Sequence, residues 1–565
     1  MPNQTLKERE PNTPFGQFTT ARRALGSRTS FVSVKYFHYD KQNFGVPTNI
    51  EAGKFDEKKV NSVSVGILEE EIATMKINKN IGSPSGSFEL RLHPTKNWKS
   101  ILSPGDWVAI YIFDRYQVRD QSGKDDDAKN LIMLGNIDRV SRSLQKDENS
   151  DKVKLSYSVS GRSFGKVLEE TDLWYDPYVT QDSSLDVALR TAGLEITGNP
   201  TSMVTQILDT FLGNGGQIKK TKALNQWKIP NELARIFEAE ATGTPLFNNI
   251  LKRNITQNLP GFKVRSMLSP DSAGSVWNQL QRSYNSLVNE LFMEEVRDSN
   301  GKAYPTIICR PRPLNTPFLD SQFGSELELK NSYLGTAYKT LQTLSKESFI
   351  EISPAEILYE DLGKDDHSRL NMFWLRIQQA YEYAYSSTAN QKQKGLQNPT
   401  FNRYSIIRYG LKKYEQTLDF SFVRGADATA AGAGTGSKAP DANIKLFKAF
   451  MAQLYDMNYA NHLYDVGTIT CTGVLEAELG KALVLLKDPT ISTSKDKIYY
   501  IEGYSHEWTF PSSWKTTFTV THGQFRSAGT GDINIYIDAI YPGDFGVADA
   551  ILQNTYLSKT KTDRM

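Results

Sequence analysis

The sequence predicts a β-rich α+β fold, with an antiparallel barrel or sandwich toward each end of the chain and a mixed α+β region between. Three observations carry this. Residues 496–524 (DKIYYIEGYSHEWTFPSSWKTTFTVTHGQ) are two runs of β-branched and aromatic residues around a Pro511-Ser512-Ser513 break, the composition of a half-buried hairpin. A three-strand pattern over residues 104–161 has the same order of parts as residues 480–523. Between the two, apolar spacing switches from the period of a strand to that of a helix.

In the last hairpin, Tyr500, Tyr504, Trp508, Phe510, Trp514, Phe518 and Val520 fall on one face, and Lys515, Thr517, Thr519 and Thr521 on the other. One face packs and one is wet. A turn centred on Ser512 sets Trp508 against Thr516, Tyr504 against Val520, His506 against Phe518 and Glu502 against His522. Upstream, residues 480–488 (GKALVLLKD) supply a short apolar strand. In the earlier pattern, PGDWVAIYIFD (104–114), LIMLGNIDRVS (131–141) and KVKLSYSVSG (152–161) follow one another. Gly105, Gly135 and Gly161 thus match Gly480, Gly503 and Gly523 as punctuation of one unit used twice, a divergent internal duplication.

Taken in order, residues 31–38 and 60–78, and then Phe88, Leu90 and Leu92 opposite Glu89 and Arg91, give strands of the first β-region. The strand from Trp107 is apolar on both faces and needs cover on both, from a helix of the same chain or from a neighbouring subunit. Residues 115–130 form a charged surface loop. Phe164, Val167 and Leu168 then sit at helical spacing; residues 182–190 and 202–213 read as amphipathic helices. Residues 271–287 read as a capped helix with Trp277, Leu280, Tyr284 and Leu287 on one stripe. Asn300-Gly301 marks a hairpin over 289–310. Strand returns at 348–358, residues 378–425 read as helical, 426–441 (ADATAAGAGTGSKAPD) as a low-complexity loop, 444–464 as an amphipathic helix and 466–475 as strand. A tail carrying Ile533, Ile535 and Ile537 is suited to add a strand to another chain's edge.

A chain of 565 residues holds three or four domains. Its net charge of +2 gives no bulk attraction to nucleic acid or anionic membrane. Cys309 and Cys471 are its only cysteines, which excludes a disulfide framework and suits a reducing cytosol. No apolar run is long enough to span a membrane, and residues 1–28 read as a mobile arm without a signal core.

One catalytic pattern is present. Gly161-Arg-Ser163-Phe-Gly165 fits G-x-S-x-G, but the strand before it belongs to an antiparallel run and no oxyanion stretch precedes it. The bland explanation is a turn leaving the barrel. The histidines His38, His93, His367, His462, His506 and His522 lack metal-ligand spacing, and residues 432–436 (GAGTG) lack the spacing of a phosphate loop. Neighbouring carboxylates such as Asp365 and Asp366 splay apart, unlike a glycosidase pair. No catalytic residue, metal or cofactor is predicted.

The layout nevertheless resembles a known family. A first β-region ending in VSGRSFGKVLEETDLW, a middle ending in NELFMEEVRDSNGKAYPTIICRPRPLNTPF, and a second β-region opening with FIEISPAEILYEDLGKDDHSRLNMFWL and closing with YYIEGYSHEWTFPSSWKTTFTVTHGQ are similar to the baseplate hub, or tail hub, proteins of contractile-tailed bacteriophages and related injection systems. The resemblance covers residues 29–526 and rests on layout and short stretches. It implies a flexible arm (1–28), a first tube-like β-barrel (29–165), a mixed α+β middle domain (166–345), a second tube-like barrel (346–526) with a helical insertion at 378–465, and a C-terminal extension (527–565). It also implies a non-enzymatic homotrimer in the tail baseplate of a virion, with the tail tube, the central spike and a wedge or tape measure protein as partners and DNA passing through its channel. Trp107, Val108, Ile110 and Ile112 are then expected at the subunit interface, and Ile533, Ile535 and Ile537 on a partner's sheet. Two alternatives are a tail-borne cell-wall hydrolase using Ser163 and a receptor- or glycan-binding tail protein.

Overall fold

The computed structural model describes residues 30–39, 62–67, 69–114, 130–146, 153–173, 197–198, 200–212, 250–257, 274–314, 340–377, 400–401, 403–418, 453–455, 460–488, 495–511 and 513–526, with a few isolated positions besides. Its centre is a curled, mostly antiparallel half-barrel of 13 strands. Seven come from the first part of the chain: β1 (Ser30–Tyr39), β2 (Ser62–Ile67), β3 (Ile72–Asn80), β4 (Ser87–Leu92), β5 (Trp107–Asp114), β6 (Leu131–Lys146) and β7 (Val153–Ser163). A hairpin follows, β8 (Asn289–Arg297) and β9 (Ala303–Pro311). Six more strands complete the sheet: β10 (Phe349–Ile352), β11 (Ile357–Gly363), β12 (Asp465–Thr472), β13 (Ala482–Leu485), β14 (Lys497–Thr509) and β15 (Ser513–Phe525).

Across the sheet the order is β11-β12-β15-β14-β3-β4-β7-β6-β5-β1-β2, with β13 beside β14 and β10 beside β13. It contains one arrangement twice. The order β3-β4-β7-β6-β5-β1 is repeated as β11-β12-β15-β14-β13-β10, and the copies meet where β3 pairs with β14.

Local irregularities repeat with the order. Gly105 N–H donates to the Ile137 carbonyl (2.8 Å) and Ile137 N–H to the Asp106 carbonyl (2.9 Å); in the second copy Gly480 donates to Ile501 (3.0 Å) and Ile501 to Lys481 (3.1 Å). Both glycines hold positive φ, 92° and 71°, which a side chain would strain. A bulge between Ile137 and Arg139 on β6 recurs between Ile501 and Gly503 on β14. Another between Ile72 and Thr74 on β3 recurs between Ile357 and Tyr359 on β11. A single 3-10 turn precedes each of these strands, Glu69–Glu71 and Pro354–Glu356. Ile137 therefore corresponds to Ile501, and Thr74 to Tyr359.

This places the duplication expected from glycine spacing on different residues. Gly105 does correspond to Gly480, but Gly503 corresponds to Arg139 and Gly161 to Val520. The other glycines make room for rings particular to each copy: Gly161 lies against Phe88, and Gly523 against Tyr499. One pairing also differs. β5 runs antiparallel to β1, whereas β13 runs parallel to β10.

The last hairpin closes two residues tighter than its turn suggests, setting Trp508 against Trp514, His506 against Thr516 and Tyr504 against Phe518. A shift of two keeps every side chain on its face, so Tyr504, Trp508, Trp514, Phe518 and Val520 are all buried; Phe510, beside the turn, is exposed.

The two-sided strand β5 is covered entirely within the chain. Trp107, Ala109 and Tyr111 pack with Phe164, Val167, Leu168, Val204, Leu208, Trp277 and Leu280, side chains largely from helices α1 (Lys166–Glu170), α2 (Pro200–Leu212) and α3 (Val276–Ser283). Ser275 caps α3 by accepting from Asn278 N–H at 3.3 Å. Val108, Ile110 and Ile112 pack instead with Val32, Val34, Met75, Ile77, Phe88 and Leu90. Trp107, Val108, Ile110 and Ile112 are each buried within this chain. Helical cover on one face and the sheet's own curl on the other supply what the two apolar faces need.

Of the stretch expected to be helical at 378–425, the described part holds one helix, Arg403–Tyr409, beside a small sheet of Met372–Ile377, Thr400–Phe401 and Lys413–Leu418. Residues 182–190, 426–441, most of 444–464 and the terminal segments with Ile533, Ile535 and Ile537 lie outside the described residues.

Candidate functional surface: the seam, its polar face and its open edges

Alternation puts small polar side chains along one face of the joined sheet. Thr470, Thr517, Ser505, Asn78, Ser87 and Arg162 stand directly across from one another on β12, β15, β14, β3, β4 and β7. A second row, Thr472, Lys515, Glu507, Lys76, Glu89, Ser160 and Arg139, crosses the same seam with its charges alternating in sign over four strands. Opposite charges directly across strands support the pairing. The result is a wide hydroxyl-rich face with local charge balance.

Beneath the seam, the reverse face is fastened by buried charges. Lys79 on β3 stands opposite Tyr504 on β14, and its ammonium reaches Glu294 (2.5 Å) and Glu295 of β8 and the Ile132 carbonyl (3.3 Å). Glu294 also accepts from the Tyr504 hydroxyl (3.1 Å) and from Leu479 N–H (2.8 Å), while Glu295 accepts from Leu134 N–H (3.2 Å). Arg297, at the end of the same strand, donates to the carbonyls of Leu131 (3.3 Å) and Leu475 (3.0 Å). Leu131 and Leu134 belong to the first copy, Leu475 and Leu479 to the second. One strand of the middle hairpin therefore holds both copies.

Burial opposes charge on Lys79, but the two carboxylates more than offset it and keep its ammonium well above the usual lysine range. Burial likewise pushes Glu294 up, and Lys79 with the Leu479 and Glu295 amides brings it below the ordinary carboxylate value. Burial dominates at Glu295, which sits above that value. Removing one member leaves a buried charge without its partner, a far larger loss than an exposed pair would show.

Among the described residues β2, β10, β11 and the outer half of β6 each have a side with no neighbouring strand, and two of these edges, β6 and β11, correspond to the strands joined at the internal seam. β14 is flanked on one side by β15 and on the other by β13 and then β3. Its counterpart β6 has β7 along one side and β5 beside Leu131–Asn136 on the other; beyond Ile137, no described strand occupies that second side. Among the described strands β11, the counterpart of β3, pairs with β12 alone. Large apolar side chains are exposed on both edges: Leu144 (63%) on β6, Leu358 (53%) and Tyr359 (60%) on β11.

Ser163 of the G-x-S-x-G pattern is buried. Its hydroxyl accepts from Gly86 N–H (2.9 Å), and its own N–H donates to the Gly86 carbonyl (2.7 Å). The pattern ties β7 to the turn before β4, a structural role. His506 packs between Tyr504 and Trp514 with Nδ1 3.0 Å from the Thr516 hydroxyl. Burial, then Lys79 and Arg297, drive its pKa down to about 3. Burial also lowers His462 and His522 to about 4. Among the described residues no group of three His, Cys, Asp or Glu side chains is placed to hold a metal, and no helix is long and apolar enough to cross a membrane.

The charged clamp was missed in the sequence, although it left a signal. Lys79 continues the inward series Met75, Ile77, and Glu294-Glu295 interrupt the apolar run of β8. A charge at an inward position requires a buried partner.

No family model and no curated protein matches the chain. Among solved structures it is similar to a tail protein from Neisseria meningitidis (13% identity, TM-score 0.38, covering 87% of this chain and 96% of that one). It is also similar to the 43 kDa tail protein of prophage MuSo2 from Shewanella oneidensis (10% identity, TM-score 0.39, 87% and 98%). A third likeness is to an E. coli type VI secretion component described as similar to the T4 bacteriophage tail proteins gp27 and gp5 (9% identity, TM-score 0.33, 81% and 74%). These are distant likenesses of fold.

Proposed function

We propose that the chain is the structural hub of a contractile-tail baseplate, in a phage virion or a related injection system. Three copies form a ring whose six equivalent sheet units meet a hexameric tail tube on one side, while the three-fold symmetry meets a trimeric central spike on the other. The observation that supports this is the sheet itself: one six-strand arrangement built twice in one chain, joined edge to edge. Two like units in each of three subunits give six like positions.

On this reading residues 29–165 and 346–526 each supply a tube-like wall segment, and residues 166–345 cover and fasten them. The hydroxyl-rich face lines the channel. Small neutral side chains with alternating charges suit passage of a polyanion, because a uniformly basic wall would condense it and hold it. The partners are the tail tube, the central spike and a wedge or tape measure protein, and DNA crosses without sequence-specific contacts.

The test is the symmetry of the purified full-length chain. Native mass spectrometry is expected to give a trimer, and averaged electron micrographs a ring of six lobes. A monomer, or a ring without six-fold features, overturns the proposal.

A further inference from the structure

We infer that β11 of one chain pairs antiparallel with the outer half of β6 of the next, in the register that β3 and β14 use within the chain. This deepens the ring reading by naming the edges that join its subunits, and it rests on that reading. Because the bulges fix which residues correspond, the register follows residue by residue. Trp508 stands opposite Met75 at the internal seam; their counterparts are Leu144 and Glu360. His506 stands opposite Ile77, giving Arg142 opposite Leu362. Glu507 stands opposite Lys76, giving Ser143 opposite Asp361. Gly503 stands opposite Asn80, giving Arg139 opposite Asp365.

Three independent features agree with this pairing. Both edges lack a described neighbour at these positions. The exposed apolar side chains Leu144, Leu358 and Tyr359 lie on these two strands, where an unprotected edge otherwise invites uncontrolled association. The charges also complement one another. The outer half of β6 carries Arg139 and Arg142, and β11 with its following turn carries Glu360, Asp361 and Asp365 against one cation, Lys364; Asp366 is already paired with Arg369 and Lys412. In the inferred register Glu360 faces Leu144 and has Arg142 on one diagonal, and Arg139 faces Asp365. Such cross-strand neighbours are the contacts that set register between strands. The contact is head to tail, so it generates a ring when its rotation closes. The occupant of each open edge is a second copy of this chain.

Site-directed crosslinking of the full-length chain tests this. A chain with both Leu144→Cys and Glu360→Cys is expected to give covalent dimers and trimers on mild oxidation, resolved on a non-reducing gel. Leu144→Cys with Leu358→Cys, two residues out of register, is expected to give far less. Charge exchange gives a second readout: Glu360→Arg is expected to weaken assembly about tenfold, and adding Arg142→Glu to restore most of it. If the chain is trimeric by native mass yet the matched cysteines do not crosslink and the exchange does not rescue, the edge pairing is wrong and the ring reading stands. If the chain is monomeric at tens of micromolar, both fall.

Discussion

The same strand order has a described neighbour along its seam in one copy and none at the corresponding place in the other. At the internal seam the frame carries Trp508, fully buried against Met75; at the corresponding place on β6 it carries Leu144, 63% exposed. Lys79 of the first copy sits beneath the seam in a buried charged network, while its counterpart in the second, Lys364, is exposed just past β11. The bulges, the positive-φ glycines and the 3-10 turns are retained in both. Apart from the β13–β10 pairing the backbone geometry is shared, and the side chains differ according to whether a described strand lies alongside.

The comparison is broken most severely at the clamp. Lys79→Met is expected to cost about 3–5 kcal/mol by leaving Glu294 and Glu295 buried together, read as a shift in the urea midpoint. Lys364→Met should stay within about 0.5 kcal/mol, and equal losses at both would remove the contrast. Trp508→Ala is expected to cost about 3–5 kcal/mol even in a monomeric chain. Leu144→Ala in the same assay should change little, its effect showing only in assembly.

Acid sharpens the contrast further. The pKa of His506 falls from 6.5 unfolded to about 3 folded, so the unfolded chain takes up a proton that the folded chain refuses. The stability this group contributes is present above pH 6.5 and is lost as pH falls from there toward 3. Thermal unfolding followed between pH 7 and 4 is expected to show that loss, and His506→Gln to flatten part of it. An unchanged slope would show that His506 is not the group responsible. The smallest effect expected is at Ser163→Ala, about 1 kcal/mol for the bond to Gly86; a cell-wall lysis assay should give the same result for the variant and the parent chain, and a loss of lysis would favour a hydrolase.

Much of the sheet was legible because strands announce themselves locally. Alternation marked the last hairpin, Asn300-Gly301 marked the turn between β8 and β9, and the Gly105 and Gly480 entries marked two copies of one pattern. The register of the last hairpin came out two residues displaced, since composition does not fix where a turn closes. The seam was not legible. β3 and β14 lie more than 400 residues apart in the chain, and no local periodicity records which strand will be a neighbour. The same distance hid the clamp, although Lys79 and Glu294-Glu295 each stood out of place in an apolar series. The burial of Trp107 and its neighbours shows the reverse limit: a strand apolar on both faces states that cover exists without stating whose it is.

Because β8 touches the first copy through Lys79 and Leu134 and the second through Tyr504 and Leu479, neither copy can tilt against the other without breaking a charged contact. A push delivered to the middle hairpin reaches both copies at once. The two copies are thereby coupled through a single strand.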